Sequence, residues 1–389
     1  MDELLPPLVD ILRDAVRMNA TDIHIDGHTE SALLRMRIEG KISSRDVLNS
    51  EKAQKILNQI KAAAEIEMGV STLPREGQFR YRHEDRDHDV RATVVMTAER
   101  YEAAHLRLLT PPERQRELQK LGLSGAQVAR VREALGGLQG MALIAGPAGS
   151  GKTTTAYSLL EMLESDRLIA ASIEDPAEFD LPNFRQVEVD ERRGLTMEEG
   201  LRTILRMDPD IVLVGEVRDR PSAEIAARAA LAGQLVVTTI HARDAVSAIL
   251  AMHYLSVPYY VLGAGLRLVI AQNLVRRICP QCAVKTVPDR QAQKLFSEHD
   301  LAVPDAVLQP TGCKDCRGDG YKGRIGVFEV APVGAEAAAM VTRGADPSDI
   351  QSALGEAGAR PIAVDALSKA AEGVTSIEEV TRLGDTVNG

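Results

Sequence analysis

Residues 146–155 read Gly-Pro-Ala-Gly-Ser-Gly-Lys-Thr-Thr-Thr, and this stretch decides the fold because it matches the pattern G-x-x-x-x-G-K-[ST] of a phosphate-binding loop. The apolar run 141–145 before it predicts a buried parallel strand, and residues 153–164 after it predict a helix with one apolar face. Strand, loop and helix together predict a nucleoside triphosphate site at the positive end of the helix. The predicted nucleotide-binding residues are Gly146, Pro147, Gly149, Ser150, Gly151, Lys152, Thr153 and Thr154.

Two side chains of this loop have specific predicted roles. The Lys152 ammonium is expected to reach the β and γ phosphates of ATP, and the Thr153 hydroxyl is expected to bind Mg²⁺. A glycine turn that matches the pattern by chance would lack the flanking strand and helix. The sequence around the loop therefore favours a real nucleotide site.

The composition narrows the class of protein. The chain has 389 residues, is 44% hydrophobic and carries a formal net charge of −10, which predicts two or three globular domains and argues against an extensive nucleic-acid surface. The longest apolar stretch, 259–271, is interrupted by Arg267, so no segment approaches the roughly 18 residues of a membrane-spanning helix. The acidic, proline-containing start does not resemble a secretory signal. These features predict a soluble, cytoplasmic protein.

Four cysteines form two C-x-x-C pairs about 30 residues apart, a spacing typical of a structural zinc site in a reducing compartment. Two such turns close a tetrahedral shell of four thiolates with no open position. A disulfide or a redox dithiol remains the alternative. The predicted zinc ligands are Cys279, Cys282, Cys313 and Cys316.

The pattern of apolar residues divides the chain into two domains. A helix at 8–18 and strands at 20–26, 34–38, 89–95 and 104–109 predict a small α+β domain over 1–110, followed by a proline-rich linker at 111–125. Strands at 141–145, 169–173, 211–214 and 235–240 alternate with helices and predict a parallel α/β sheet within 126–389. The cysteine region, 279–326, interrupts this pattern, and 327–389 is predicted to be helical.

Polar residues follow three of the predicted strands at the edge where the phosphate loop lies. Glu216 follows strand 211–214, where a second ligand for Mg²⁺ is expected, and the acidic cluster 174–178 follows strand 169–173, where it could polarise an attacking water. Thr238-Thr239-Ile240-His241 ends the last strand and is a candidate sensor of the γ-phosphate. Taken alone, each segment is typical of a surface loop, but together they predict a hydrolytic site.

These motifs resemble those of the type II secretion and type IV pilus assembly ATPases over almost the whole chain. The resemblance includes Asp22-Ile23-His24-Ile25, Arg35 to Gly40 and Asp89-Val90-Arg91 in the first domain. The four-cysteine region and the following segment 320–329 are similar to the secretion and pilus-extension branch. The family's four nucleotide-site boxes correspond to 146–155, 172–178, 205–219 and 230–241.

The resemblance implies a RecA-like P-loop ATPase domain with a parallel sheet, preceded by a small α+β (PAS-like) domain and carrying a zinc-knuckle subdomain. It further implies Mg²⁺-dependent ATP hydrolysis by a cytoplasmic homohexamer that acts on an inner-membrane platform protein and associates with the membrane only through partners. In this family pattern Glu174 is the general base, Glu216 binds Mg²⁺, His241 reads the nucleotide state, and Arg91 and Arg107 complete a neighbour's site. Arg202 and Arg206, which precede 210–219, are further candidates.

The chain departs from the family pattern at several positions. Gln234 stands where a histidine usually opens the fourth box, and Gln78 ends a segment, 75–78, that usually ends in arginine. The chain is also short beside full-length secretion ATPases, and little precedes Asp22 that could form an extra membrane-docking domain.

These departures leave an alternative in which the chain is a nucleotide-binding regulator with low turnover. A nucleic-acid translocase is the third class, which the sequence pI of about 5.4 disfavours.

Overall fold

The computed structural model describes residues 4–69, 71–84, 86–109, 117–163, 167–181 and 183–388. The chain forms two compact units, residues 1–112 and 113–389. Much of the predicted linker at 111–125 lies outside the described residues, because 110–116 are not among them. Within the remainder of that segment, Leu118–Leu121 forms a short helix.

The first unit is a six-stranded antiparallel sheet with two helices. Its strand order is β3-β2-β1-β6-β5-β4. One face carries apolar side chains such as Ile23 and Val90, which pack against Leu12 and Ile60 of the helices. The elements are α1 (Leu8–Arg17), β1 (Ala20–Gly27), β2 (Ser31–Ile38), β3 (Lys41–Asn49), α2 (Ser50–Ala63), β4 (Arg75–His83), β5 (Arg86–Met96) and β6 (Glu102–Leu109).

The strands predicted for this unit all lie within observed strands, and the predicted helix at 8–18 corresponds to α1. The sequence did not predict α2, β3 or β4. β4 reads Arg-Glu-Gly-Gln-Phe-Arg-Tyr-Arg-His, and Tyr81 is its only buried residue. Such a charged strand lacks the apolar alternation on which strand prediction depends.

The second unit is a seven-stranded mixed sheet with helices on both faces. The strand order is β15-β12-β7-β11-β10-β8-β9, parallel throughout except for β15, which runs antiparallel to β12. The inner strands of this sheet are buried on both faces; for example, Val236 and Val237 of β11 belong to cores on opposite sides.

The elements of this unit up to β11 include the 3₁₀ turn Glu191–Arg193 and are α3 (Leu118–Leu121), α4 (Gly125–Leu135), β7 (Gly140–Ala145), α5 (Lys152–Leu163), β8 (Ala170–Glu174), β9 (Phe184–Glu188), α6 (Met197–Leu205), β10 (Ile211–Val214), α7 (Arg220–Ala232) and β11 (Leu235–Ile240). The remaining elements are α8 (Ala245–Tyr254), α9 (Tyr259–Gly265), β12 (Leu266–Ile278), β13 (Ala283–Thr286), α10 (Arg290–Glu298), β14 (Val307–Pro310), β15 (Tyr321–Pro332), α11 (Ala335–Thr342), α12 (Pro347–Glu356), α13 (Ile362–Ala371) and α14 (Ile377–Asn388).

The α/β class and the four predicted strands of this unit are confirmed, each to within one residue. The prediction of helix from residue 327 onward is wrong at its start, because β15 continues to Pro332 and the helices begin at Ala335. The cysteine region is also shorter than 279–326, since β15 begins at Tyr321. No helix within the described residues is both long enough and apolar enough to cross a membrane.

Candidate functional site

The phosphate loop connects the end of β7 to the start of α5, as the sequence predicts. Gly149 and Gly151 have φ angles of +74° and +87°, in the region where glycine is favoured. Gly146 is confined as well, because a Cβ there would lie 2.4 Å from Ser150 Oγ. The loop thus requires glycine at each of these three positions, for backbone or packing reasons.

The loop has the polar groups that a phosphate would require. Lys152 is buried, and its Nζ donates hydrogen bonds to the carbonyl oxygens of Gly146 at 2.9 Å and Pro147 at 3.1 Å. Burial lowers the pKa of Lys152, while the charges of Glu216 and Glu178 oppose that shift. The buried Ser150 hydroxyl has no hydrogen-bond partner among the described residues. A buried ammonium and an unpaired hydroxyl in one glycine loop suit an anionic ligand.

Glu174, at the end of β8, is only 2% exposed and is surrounded by hydrogen-bond donors. Ser172 Oγ donates to its Oε1 at 2.6 Å, Gln186 Nε2 donates to the same oxygen at 3.1 Å, and the Tyr157 hydroxyl donates to Oε2. Burial and the Glu174 charge raise the pKa of Tyr157, so the phenol stays protonated as a donor. These contacts occupy both carboxylate oxygens, which does not suit the general-base role that the family resemblance implies.

Glu178 lies four residues further along the same acidic segment and is partly exposed. Its backbone N–H donates to the Tyr157 hydroxyl at 3.3 Å, which connects it to the Glu174 hydrogen bonds. Its charge opposes the lowering of the Lys152 pKa that burial causes. Of the two glutamates in this segment, Glu178 is the one accessible to a water.

Glu216 lies between β10 and α7, as predicted, and contacts Arg218 and His241. Arg218 donates to Glu216 Oε2 through Nε at 2.9 Å, and His241 Nε2 lies 2.8 Å from Oε1. Arg218 also lies 3.6 Å from Asp175. The loop that carries Glu216 is connected to β11, since the Thr239 hydroxyl donates to Gly215 O at 2.8 Å.

The oxygens near the loop fit magnesium. The charge of Glu216 acts on Lys152 at the start of α5, and Thr153 follows Lys152 directly. Hydroxyl and carboxylate oxygens are the ligand types that Mg²⁺ takes beside a nucleotide. Thr153 and Glu216 would hold the ion, with Glu216 exchanging its contact to Arg218 or His241 for it, and the ion would neutralise phosphate charge.

The candidate arginines fall into two groups. Arg91 and Arg107 belong to the first unit, where they lie opposite each other on β5 and β6. Arg107 Nε donates to Asp22 at 3.2 Å, and Arg91 also lies opposite Gln78 of β4. They therefore form one row across the polar face of that sheet.

Arg202 and Arg206 are not at the phosphate loop. They line a groove of about 430 Å³ with Arg228 and Gln234, beside the residues where β10 and β11 begin. The phosphate loop follows the other end of the parallel strands, about six residues and 20 Å away along β11. Gln234 therefore lies at the opposite end of β11 from the phosphate loop.

The four cysteines come together as the spacing predicts. Their Sγ atoms all lie within 4.8 Å of one another, and all four are free thiols. Three of the Sγ–Sγ distances are 3.7, 3.7 and 3.9 Å. Zinc–sulfur bonds of about 2.3 Å in a tetrahedron place the sulfurs about 3.8 Å apart, so the cluster fits zinc.

The backbone around Cys316 favours the thiolate form of that residue. The N–H groups of Cys313 and Gly320 each donate to Cys316 Sγ at 3.1 Å. Burial raises the pKa of the Cys316 thiol, but these donors outweigh it and lower the value to about 6. The four residues would hold zinc as a structural ion with no open position.

A buried ion pair joins the cysteine region to the last helix. Arg276 of β12 is 1% exposed, and its guanidinium donates to Glu379 of α14 at 2.8 and 3.0 Å and to Asp319 at 2.9 Å. The guanidinium carbon also lies 3.7 Å from the centre of the Tyr321 ring. The sequence did not predict this pair, since the two partners lie far apart along the chain.

The sequence also did not identify Gln272 of β12. Its Nε2 donates to Ser150 O in the phosphate loop at 2.8 Å. Nor did it identify Tyr157 and Gln186 as partners of Glu174. None of these residues belongs to a local sequence motif. The available sequence signal for Gln272 is an amide that directly follows the apolar run 268–271.

Comparisons with known proteins agree on one family. A family model described as "Type II/IV secretion system protein" matches residues 2–382. Over 385 residues the chain is 34% identical to the type IV pilus assembly ATPase TfpB of Acinetobacter baylyi. The aligned region covers 98% of this chain and 66% of TfpB. It is also 34% identical to the type II secretion system protein HxcR of Pseudomonas aeruginosa, covering 96% of this chain and 76% of HxcR.

Solved structures support the fold. The ATPase DotB of Legionella pneumophila matches with a TM-score of 0.70 and 19% identity, covering 99% of this chain and 97% of DotB. At this identity the likeness concerns the fold alone. The chain spans about two thirds of the length of TfpB.

Proposed function

This chain belongs to the type II/IV secretion system protein family, and on that premise we propose that it hydrolyses ATP to power assembly of a pseudopilus or type IV pilus. The work is done by a homohexamer on the cytoplasmic side of the inner membrane, where it engages a membrane platform protein. The relatives named as pilus assembly ATPases and secretion proteins motivate this proposal.

The observation that carries the proposal is the set of charged side chains around the phosphate loop. Lys152 is buried in the loop, Glu216 follows β10, and Glu178 lies in the acidic segment after β8 of the same sheet. A cation for the phosphates, a carboxylate for magnesium and a carboxylate for water are the parts that phosphoryl transfer requires. His241, 2.8 Å from Glu216, is suited to respond when the nucleotide changes.

Glu178, rather than Glu174, is proposed to accept the proton of the attacking water. Glu174 is buried and accepts three hydrogen bonds, so its part is to hold the acidic segment in position through Tyr157. Water then attacks the γ-phosphorus, the bond to the β–γ bridging oxygen breaks, and ADP and phosphate leave.

Arg91 and Arg107 are proposed to complete the site of a neighbouring subunit. They lie in one row on the polar face of their sheet, and a neighbouring subunit that approaches this face would meet both; each already takes part in an interaction of its own, with Asp22 in the case of Arg107. An arginine supplied by another subunit stabilises charge in the transition state.

The direct test is ATP hydrolysis by the purified full chain with and without Mg²⁺. We expect Lys152→Ala and Arg91→Ala each to abolish turnover, and we expect mixtures of the two variants to regain part of it, because some mixed interfaces carry two intact halves. Unchanged turnover in Lys152→Ala would refute the assigned nucleotide site. Activity of Arg91→Ala alone at the wild-type level would refute the shared site.

The low-turnover regulator is less well supported than the motor. Its main motivation is Gln234, which lies at the opposite end of β11 from His241. Single-turnover hydrolysis at saturating ATP distinguishes the two, because a regulator would hydrolyse its bound ATP far more slowly than a motor.

A further inference from the structure

Gln272 lies beside the phosphate loop although it belongs to a different part of the chain. β12 pairs with β7 as far as the partners Ala271 and Ala145, where β7 ends. Gln272 is the next residue of β12, so it flanks Gly146 at the start of the loop. It is 2% exposed and directly follows the apolar run 268–271 of the strand.

Three residues of the loop contact Gln272. Its side-chain Nε2 donates to Ser150 O at 2.8 Å in a buried hydrogen bond. Its backbone oxygen lies 2.5 Å from the position that a Cβ would take on Gly146, and its Nε2 lies 3.3 Å from the corresponding position on Gly151. Gln272 therefore forms part of the outer wall against which the loop is folded.

The hydrogen bond to Ser150 fixes the direction of one peptide group. In a trans peptide the C=O of one residue and the N–H of the next point in opposite directions. The amide of Gln272 holds the Ser150 carbonyl outward, so the Gly151 N–H must point inward, toward the space that the loop encloses. Gly151 has a φ of +87° and no side chain, so this peptide could rotate easily without such a contact.

We propose that Gln272 is a positioning residue for nucleotide binding: it aims the Gly151 N–H at the phosphates by anchoring the Ser150 carbonyl. The inference rests on the proposed function, because it assumes that the loop binds a nucleotide. Gln272 touches only protein, and its effect reaches the phosphates through the peptide that it holds.

The test measures ADP binding by isothermal titration calorimetry on the full chain with Mg²⁺. Gln272→Met keeps the length and volume of the side chain but removes the hydrogen-bond donor. We expect its Kd for ADP to rise about tenfold, which is the change that corresponds to the loss of about one hydrogen bond to the phosphates. Asn273→Ala is the matched control, because the neighbouring Asn273 side chain accepts from the N–H of Leu274 and makes no hydrogen bond to the phosphate loop among the described residues. We expect this control to bind ADP with the wild-type Kd.

A second measurement separates positioning from a purely structural role. A residue that only stabilises the fold lowers Tm equally with and without ADP, whereas a positioning residue reduces the Tm increase that ADP causes. We expect the smaller increase in Gln272→Met. If that variant does not fold, Gln272→Asn, which draws the amide back by one methylene, takes its place in both measurements.

Wild-type Kd and a wild-type ADP-induced Tm increase in the Gln272 variant would overturn the inference and leave the proposed function intact. The absence of ADP binding by the wild-type chain itself would overturn both.

Discussion

Replacing Glu174 or Glu178 of the acidic segment by glutamine, one at a time, tests which of the two is catalytic. In Glu174→Gln, an amide replaces a carboxylate that accepts from Ser172 and Gln186 on one oxygen and from Tyr157 on the other. Hydrogen bonds to a charged group contribute about 1.5–3 kcal/mol and neutral ones about 1 kcal/mol. The new NH₂ group also faces a donor, so we expect a loss of about 2–4 kcal/mol in the free energy of unfolding.

For a unit of this size, that loss corresponds to a fall in Tm of roughly 5–15 °C, measured by circular dichroism without nucleotide. Glu178→Gln is the matched variant, because Glu178 is partly exposed in the same segment. We expect its stability to change by no more than about 0.5 kcal/mol, and its kcat at saturating ATP and Mg²⁺ to fall at least about 100-fold.

The reverse pattern would refute this reasoning. If Glu174→Gln kept the wild-type Tm and lost kcat, while Glu178→Gln kept its kcat, Glu174 would be the general base despite its burial. A loss of kcat in both variants with a loss of Tm only in Glu174→Gln agrees with the assignment, because Glu174 holds the segment that carries Glu178.

Three further predictions concern the zinc centre, the buried ion pair and the first unit. Elemental analysis should find about one zinc per chain in protein purified without chelators and almost none in Cys313→Ser; an equal zinc content would contradict the four-cysteine site. Glu379→Gln leaves the buried Arg276 guanidinium without its main counter-charge and should destabilise the protein by about 3–5 kcal/mol; an unchanged denaturation midpoint would contradict this. Burial raises the pKa of Asp22, but hydrogen bonds from His105, Thr21 and Arg107 outweigh this effect and hold the pKa well below the unfolded value of about 3.9. Asp22 therefore stabilises the fold above that pH, and this contribution is lost as the pH falls. Asp22→Asn should therefore be less stable at neutral pH and show a flatter fall in Tm toward pH 3, and a parallel pH profile would contradict the assignment.

The strands of the second unit show what local sequence can predict. β7 and β10 are apolar runs and β11 begins with one, because both faces of these strands are buried, and the sequence predicted all three. β12 is equally buried at its start, but Gln272 and Arg276 interrupt its apolar pattern. Both are buried because their partners come from distant parts of the chain, and a local pattern does not contain those partners.

The candidate site shows the same division. The loop, Glu216 and the four cysteines could be predicted because their chemistry depends on short spacings. Glu174 and Glu178 could not be distinguished in this way, because the difference between them is burial. That difference is produced by Tyr157 on α5 and by Gln186 on β9, a strand that the sequence did not predict.

The cysteine-containing segment begins and ends at neighbouring points of the sheet, so its loss would leave the sheet intact. Ile278 and Tyr321 are paired across β12 and β15, so the chain leaves the sheet and returns to it at adjacent points. The segment 279–320 connects two paired strands at their tip, so a tight turn could replace it without changing the order of the strands. Its removal would uncover Leu367 and Val380, which share an apolar cluster with Phe296. A descendant without the segment would therefore need compensating polar substitutions on α13 and α14, and such paired changes would record the deletion.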